Sequence, residues 1–141
     1  MNAVARYRFL VETLIDEVWN LGRLDVMDSL VAAHAVPSRA NAPAGPGSWK
    51  ADVDFYRTRL ADLHYGIEDY FECGDRAVAR WSATAIDTHG ILGDHLRGSA
   101  VRFSGITIYR FELGLLVEHW AEISVGVARA LPAYNPQTGE L

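Results

Sequence analysis

Apolar positions along the chain change their period once, near residue 60. Before that point the spacing is helical. Val4, Tyr7, Val11, Leu14, Ile15 and Val18 recur at three- and four-residue steps and define one face of a first helix. The stretch WNLG at 19–22 ends it, with Gly22 as the stop. Leu24, Met27, Leu30 and Val31 mark a short second helix. The segment PSRANAPAGPGS, 37–48, is too rich in Pro, Gly, Ala and Ser to be regular and reads as a loop. Ser48 is then placed to cap a third helix carrying Trp49, Val53, Tyr56 and Leu60.

From residue 63 the period shortens to two. LHYGIEDYFE, RAVARWSATAID, SAVRFSGITIYRFE and LLVEHWAEISVG are four strands in sequence, separated by CGD, by a Gly-rich link at 90–98 and by a turn at Leu113-Gly114. Short connections make neighbouring strands antiparallel. Three helices followed by a twisted antiparallel sheet give an α+β layout in one domain, residues 1–131, and PAYNPQTGEL at the end reads as a flexible tail, 132–141.

The last strand raises a question of direction. In VEHWAEIS, 117–124, one face carries Val117, His119, Ala121 and Ile123, and the other carries Glu118, Trp120, Glu122 and Ser124. Two carboxylates flanking an indole are ordinary on a wet face, whereas lining a cavity they would support proton transfer. The reading adopted for the sequence turns the Glu118 face toward the interior, with Trp81 across from it, and turns His119 away.

Composition narrows the partners. The net charge is −5 and Lys and Arg form no run, which excludes a surface built for nucleic acid or anionic membrane. A single cysteine, Cys73, makes neither an internal disulfide nor a cysteine-based zinc site, and five histidines without His-x-His or His-Glu-x-x-His spacing argue against any metal. With no charged-then-apolar leader and no long apolar run, the expected location is cytoplasmic. Small neutral ligands or proteins are the partners that remain.

VWNLGRLDVMDSL at 18–30, IEDYFECGDRAVARW at 67–81, RGSAVRFSGITIYRF at 97–111 and LLVEHW at 115–120, in this order and spacing, resemble the SnoaL-like polyketide cyclases of the nuclear transport factor 2-like superfamily. The resemblance covers roughly residues 5–125. It implies a cone in which a long first helix and two shorter ones close over a curved, mainly antiparallel sheet, an apolar pocket, and often a homodimer formed through the sheet. It also implies a cofactor-free intramolecular aldol cyclisation of a polyketide, a small hydrophobic ligand, driven by one acid/base carboxylate.

This chain departs from the family pattern at that carboxylate. The family's aspartate, four residues after the tryptophan matching Trp120, is here Ser124, and the histidine the family often carries at the end of the second strand is here Asp87, with His89 two residues on. Glu122, about 6–7 Å back along the strand from Ser124, is the expected replacement base. Asp87, on the face of Trp81, Ala83 and Ala85, is its expected partner. His34 matches a histidine common in the family near the pocket mouth. Trp19, Trp49, Tyr56, Trp81, Phe103 and Trp120, with Ser124, are the expected lining. A carboxylate in such surroundings has a raised pKa, suited to taking a proton next to a carbonyl.

Duller roles stand beside these. Glu118 and Glu122 can pair with Arg80, Arg102 or Arg110 on neighbouring strands. Asp87 can cap the Gly-rich turn, and His34, His89 and His95 can be surface residues. Three functional classes remain open: an acid/base enzyme, whether cyclase, isomerase or epoxide-opening; a binding protein that kept the pocket without the catalytic aspartate; and an assembly module using the sheet face. The expected homodimer buries the sheet's second face, assigned to Val117, Ala121, Ile123, Ile106 and Ile108.

Overall fold

The first helical segment, α1 (Arg8–Thr13), continues without a break into a π-helical turn, Leu14–Trp19. In that wider turn Asn20 N–H bonds the Ile15 carbonyl at 2.9 Å, and Leu14, Ile15 and Trp19 are brought round onto one side. The computed structural model describes residues 5–124 and 129–130. Val4 of the expected stripe, the last residues of the expected fourth strand at 125–126 and the expected tail at 132–141 lie outside them. A 3₁₀ turn (Leu24–Val26) leads into α2 (Met27–Leu30), and α3 spans Gly47–Arg59. Ser48 does not cap α3. Pro46 precedes the helix, and the Ser48 hydroxyl faces inward, where it accepts the Ser38 N–H at 3.0 Å and ties the loop to the helix. Leu60, expected on this helix, is the first residue of the sheet.

Strands β1 (Leu60–Cys73), β2 (Arg76–Asp87), β3 (Ala100–Glu112) and β4 (Leu115–Ile123) form an antiparallel sheet in chain order, and β5 (Arg129–Ala130) pairs with Val101 and Arg102 of β3 beyond the end of β4. Bulges in β1, at Ala61/His64 and Ile67/Asp69, bend the sheet. The helices cover one face, where the core joins Val11, Leu14, Ile15, Val18, Met27 and Val53 to the inward positions of the strands. Those positions are odd-numbered in both central strands: Ala77, Ala79, Trp81, Ala83, Ala85 and Asp87 in β2, and Val101, Phe103, Gly105, Thr107, Tyr109 and Phe111 in β3. The architecture is the α+β cone expected from the sequence.

The register of β4 reverses the expected faces. Phe111 pairs with Leu116, but Arg110 pairs with Glu118, so Val117 is an extra residue, a bulge. Beyond it Tyr109 faces His119, Thr107 faces Ala121 and Gly105 faces Ile123, which puts His119, Ala121 and Ile123 on the inner face. Glu118, Trp120 and Glu122 pair with Arg110, Ile108 and Ile106 and belong to the outer one. Val117 itself is buried, and its carbonyl accepts the Val36 N–H at 2.7 Å, while the Leu116 carbonyl accepts the Ala32 N–H at 2.9 Å. The segment after α2 thus docks along the bulge.

Candidate functional site

Between the helices and the inner face of the sheet lies a cavity of about 460 Å³, within the range usual for small-molecule sites. Its floor is aromatic. Trp19, at the end of the π turn, packs 5.0 Å from Tyr65 and 6.0 Å from Tyr56 between ring centroids, and Tyr65 meets Trp81 edge-on at 4.9 Å. Asn20 fixes this corner, its side chain donating to the Tyr65 carbonyl (3.0 Å) and accepting the Tyr65 N–H (2.7 Å) as a strand partner would. Arg57 of α3 donates to the Trp19 carbonyl at 2.6 Å. Gly105 leaves the room that the Trp81 indole fills, since a Cβ there would run into that ring and into the Glu122 carbonyl.

The polar groups of the cavity come from α3, β3, β4 and the loop before α3, where the Ser38 hydroxyl is buried with no hydrogen-bond partner among the described residues. On α3, Trp49, Asp52, Val53 and Tyr56 sit at steps of three and four and share the face that lines the cavity. The His119 ring packs against Trp49, with centroids 4.3 Å apart and planes at 43°, and the Trp49 indole N–H is held by the Val36 carbonyl at 3.0 Å. Burial pushes the His119 pKa below its ordinary 6.5, with the charges of Asp52 and Glu118 acting in the opposite direction. The imidazole is therefore neutral at pH 7 and able to accept a proton. Asp52 is bound from outside by Arg39 at 2.7 Å. Trp81 Nε1 donates to Thr107 Oγ1 at 3.0 Å, and Tyr109 is pushed up to about 12 by burial, against the lowering effect of a hydrogen bond with Thr107. Among the described residues no Lys or Arg lines the cavity and no cluster of three metal-binding side chains occurs.

The expected site residues separate into two groups. Trp19, Trp49, Tyr56 and Trp81 line the cavity, and Phe103 packs behind it, edge-on to Trp81 at 5.9 Å and to Tyr65 at 6.0 Å. The expected chemistry is elsewhere. Glu122 is exposed on the outer face opposite Ile106, because the Val117 bulge turns it there. Trp120 borders the cavity mouth through its place in β4, but its indole is 42% exposed and lies under the Arg76 guanidinium at 5.2 Å, so it does not share the interior with Trp81. Ser124 is exposed, its N–H bonded to the Ser104 carbonyl at 2.8 Å. Glu118 does border the cavity, beside His119, but its carboxylate is held by Arg110 at 3.2 Å. His34 is a surface residue paired with Glu112 at 2.9 Å. Asp87 is fully buried but does not line the cavity, since its carboxylate oxygens accept the N–H groups of Ile91 and Leu92, each at 2.9 Å.

A cone of helices over a curved antiparallel sheet, with an aromatic cavity inside, is the nuclear transport factor 2-like fold. The profile of the SnoaL-like polyketide cyclases matches residues 9–128, and the chain belongs to that family. Among solved structures, TsrD from Streptomyces laurentii is similar over 89% of this chain and 92% of its own, at 23% identity and a TM-score of 0.76. A SnoaL-like polyketide cyclase from Agrobacterium tumefaciens is similar over 86% and 93%, at 16% identity and a TM-score of 0.75. IdmH from Streptomyces antibioticus is similar over 83% and 91%, at 23% identity and a TM-score of 0.68. A comparison with curated proteins gave no match. Among the described residues no helix is long and apolar enough to cross a membrane.

Proposed function

We propose that the protein is a cofactor-independent acid/base enzyme acting on a small hydrophobic carbonyl compound, of the kind that closes a ring by intramolecular aldol addition, with His119 as the group that moves the proton. The observation that carries this reading is a neutral imidazole held against Trp49 inside an aromatic cavity, with Asp52, held from outside by Arg39, on the helix side. In the forward step the His119 lone pair takes a proton from the carbon next to a carbonyl, and the C–H electron pair becomes the C=C bond of an enolate. The enolate carbon then attacks a second carbonyl of the same molecule, and the resulting alkoxide recovers the proton from the imidazolium. No redox change occurs. Membership of the family supports a cyclase-type enzyme in general. The test is hydrogen–deuterium exchange at the α-carbon of a bicyclic aromatic β-keto ester in heavy water, followed by NMR. Enzyme-dependent, saturable exchange is the expected result.

A second reading has an observation of its own. The position of the family's aspartate, Ser124, carries no ionisable group, and the nearest carboxylate on its strand, Glu122, is outside the cavity. A protein that only binds its ligand fits that loss, and tight binding of the keto ester without exchange would favour it.

The outer face of the sheet supports a homodimer. Phe71, Val78, Ile108 and Trp120 are paired in one row across all four long strands, with Ile106 beside it, and Phe71, Ile106 and Trp120 are 57%, 47% and 42% exposed. Of the residues first assigned to this face, only Ile106 and Ile108 belong to it, because Val117 is buried at the bulge and Ala121 and Ile123 face inward. Light scattering is expected to give twice the chain mass at micromolar concentration. Trp120→Glu combined with Ile106→Glu is expected to give a monomer with little change in thermal midpoint, and a wild-type monomer would rule the dimer out.

A further inference from the structure

The enolate formed when His119 takes its proton carries a negative charge that the cavity must hold. No Lys or Arg lines the cavity among the described residues, so a neutral donor has to serve. Both nearby indole N–H groups are already committed, Trp49 to the Val36 carbonyl and Trp81 to Thr107. The hydroxyls of Ser38, on the loop before α3, and of the tyrosines remain. Tyr56 belongs to α3 and Tyr65 to β1, which is separated from β4 by two strands. Tyr109 is the register partner of His119 on the inner face. Directly opposed residues bring their Cβ atoms within about 4.5–5.5 Å, so one substrate carbonyl and its α-carbon can touch both side chains. Tyr109 is 4% exposed, it lines the cavity, and among the described residues no protein acceptor takes its O–H at hydrogen-bond distance. A buried phenol with its proton unclaimed is prepared for a ligand acceptor.

We propose that Tyr109 donates the hydrogen bond that holds the substrate's carbonyl oxygen as it becomes an enolate, with Thr107 and Trp81 as positioning residues behind it. The ligand class follows as a compound with a ketone or ester carbonyl whose oxygen enters between β3 and β4. The Trp81 N–H fixes the Thr107 oxygen as an acceptor and leaves the threonine proton to turn toward the Tyr109 oxygen two residues along the same face. A phenol that accepts one hydrogen bond donates a stronger one. The phenol itself stays protonated, so the proton abstracted from carbon remains on His119. This assignment rests on the proposed role of His119, and the experiment separates the two.

The probe is 4-nitrophenol, whose absorbance distinguishes phenol from phenolate and whose oxygen stands in for that of an enolate. Bound to the wild type, it is expected to be ionised to a greater extent than in free solution at the same pH. Tyr109→Phe is expected to leave probe binding within a few-fold and to lower the ratio of bound phenolate to phenol by about 10- to 100-fold, the worth of one hydrogen bond to a charged group. Thr107→Val is expected to lower it less, and Thr107→Ser to restore it, which a merely structural threonine would not do. An unchanged ratio in Tyr109→Phe, with the ratio lost in His119→Gln, overturns the role of Tyr109 and leaves that of His119 standing. A ratio lowered in Tyr109→Phe but unaffected by His119→Gln overturns the role of His119 and leaves Tyr109 as the donor to the bound oxygen, whereas an unchanged ratio in both variants, or no saturable binding of the probe to the wild type, overturns both.

Discussion

His119→Gln is expected to lower turnover by about 10²–10⁴-fold, the usual loss when a general base is removed. Glutamine keeps the approximate length and polarity of the side chain but cannot take up the proton, so KM should change little while kcat falls. The wild-type rate should also fall on the acid side. Burial lowers the His119 pKa, so the neutral, active imidazole persists below the ordinary 6.5 and is lost only as the pH drops through the lowered value. Asp52→Asn removes a carboxylate that acts to raise this pKa, and the acid limb is then expected to move to still lower pH. Stability follows the same linkage. Above 6.5 the group is neutral in both folded and unfolded chains and adds no pH dependence, whereas below it the unfolded chain binds the proton first and the fold is penalised. His119→Gln should therefore lessen acid destabilisation even as it removes activity. Full exchange activity in His119→Gln would sink the assignment, and an acid limb unmoved by Asp52→Asn would remove Asp52 from it.

The fold was readable from the sequence because each element has a local cause. The three- and four-residue stripe on α1, the Gly-rich connections and the two-residue alternation of β2 and β3 each point to one structure, and the alternation in β2 and β3 places Trp81, Phe103 and Tyr109 inside. The β4 part of the site was misread for one physical reason. A strand reports which residues share a face, but which face is inside depends on every residue between it and the core. One additional residue at Val117 reversed the answer for everything after it, moving Glu122 out and His119 in. A signal for this exists in the sequence. Leu115, Leu116 and Val117 are three apolar residues in succession, which a regular alternating strand cannot place on one buried face. Asp52 was also legible, because it interrupts the stripe Trp49, Val53 and Tyr56 at a position three residues from Trp49. What could not be read was the pairing of particular groups, such as His119 against Trp49 or Arg39 on Asp52, since these join elements far apart in the chain.

Asp87→Ala is expected to lower stability by about 3–5 kcal/mol, the loss of two charge-assisted hydrogen bonds that nothing else satisfies. Asp87 ends β2 and is bonded to the following loop at every polar atom. Its side chain accepts from Ile91 and Leu92, its carbonyl accepts the Gly98 N–H at 2.7 Å, and its own N–H donates to the Ser99 carbonyl at 3.0 Å. Through these contacts the loop places Leu92 and Leu96 in the core. Without the carboxylate, the Ile91 and Leu92 N–H groups are left without these acceptors, and the loop that carries two core leucines loses its anchor. A shift of this size should depress the thermal midpoint by roughly 10 °C or more in a domain of this length. Asp87→Asn keeps one acceptor but turns an amide N–H toward the other donor, so a loss of about 1–3 kcal/mol is expected. If Asp87 instead served the reaction, Asp87→Asn would reduce exchange while leaving the thermal midpoint where it was, and that pattern, read by calorimetry alongside NMR, would return Asp87 to the active site.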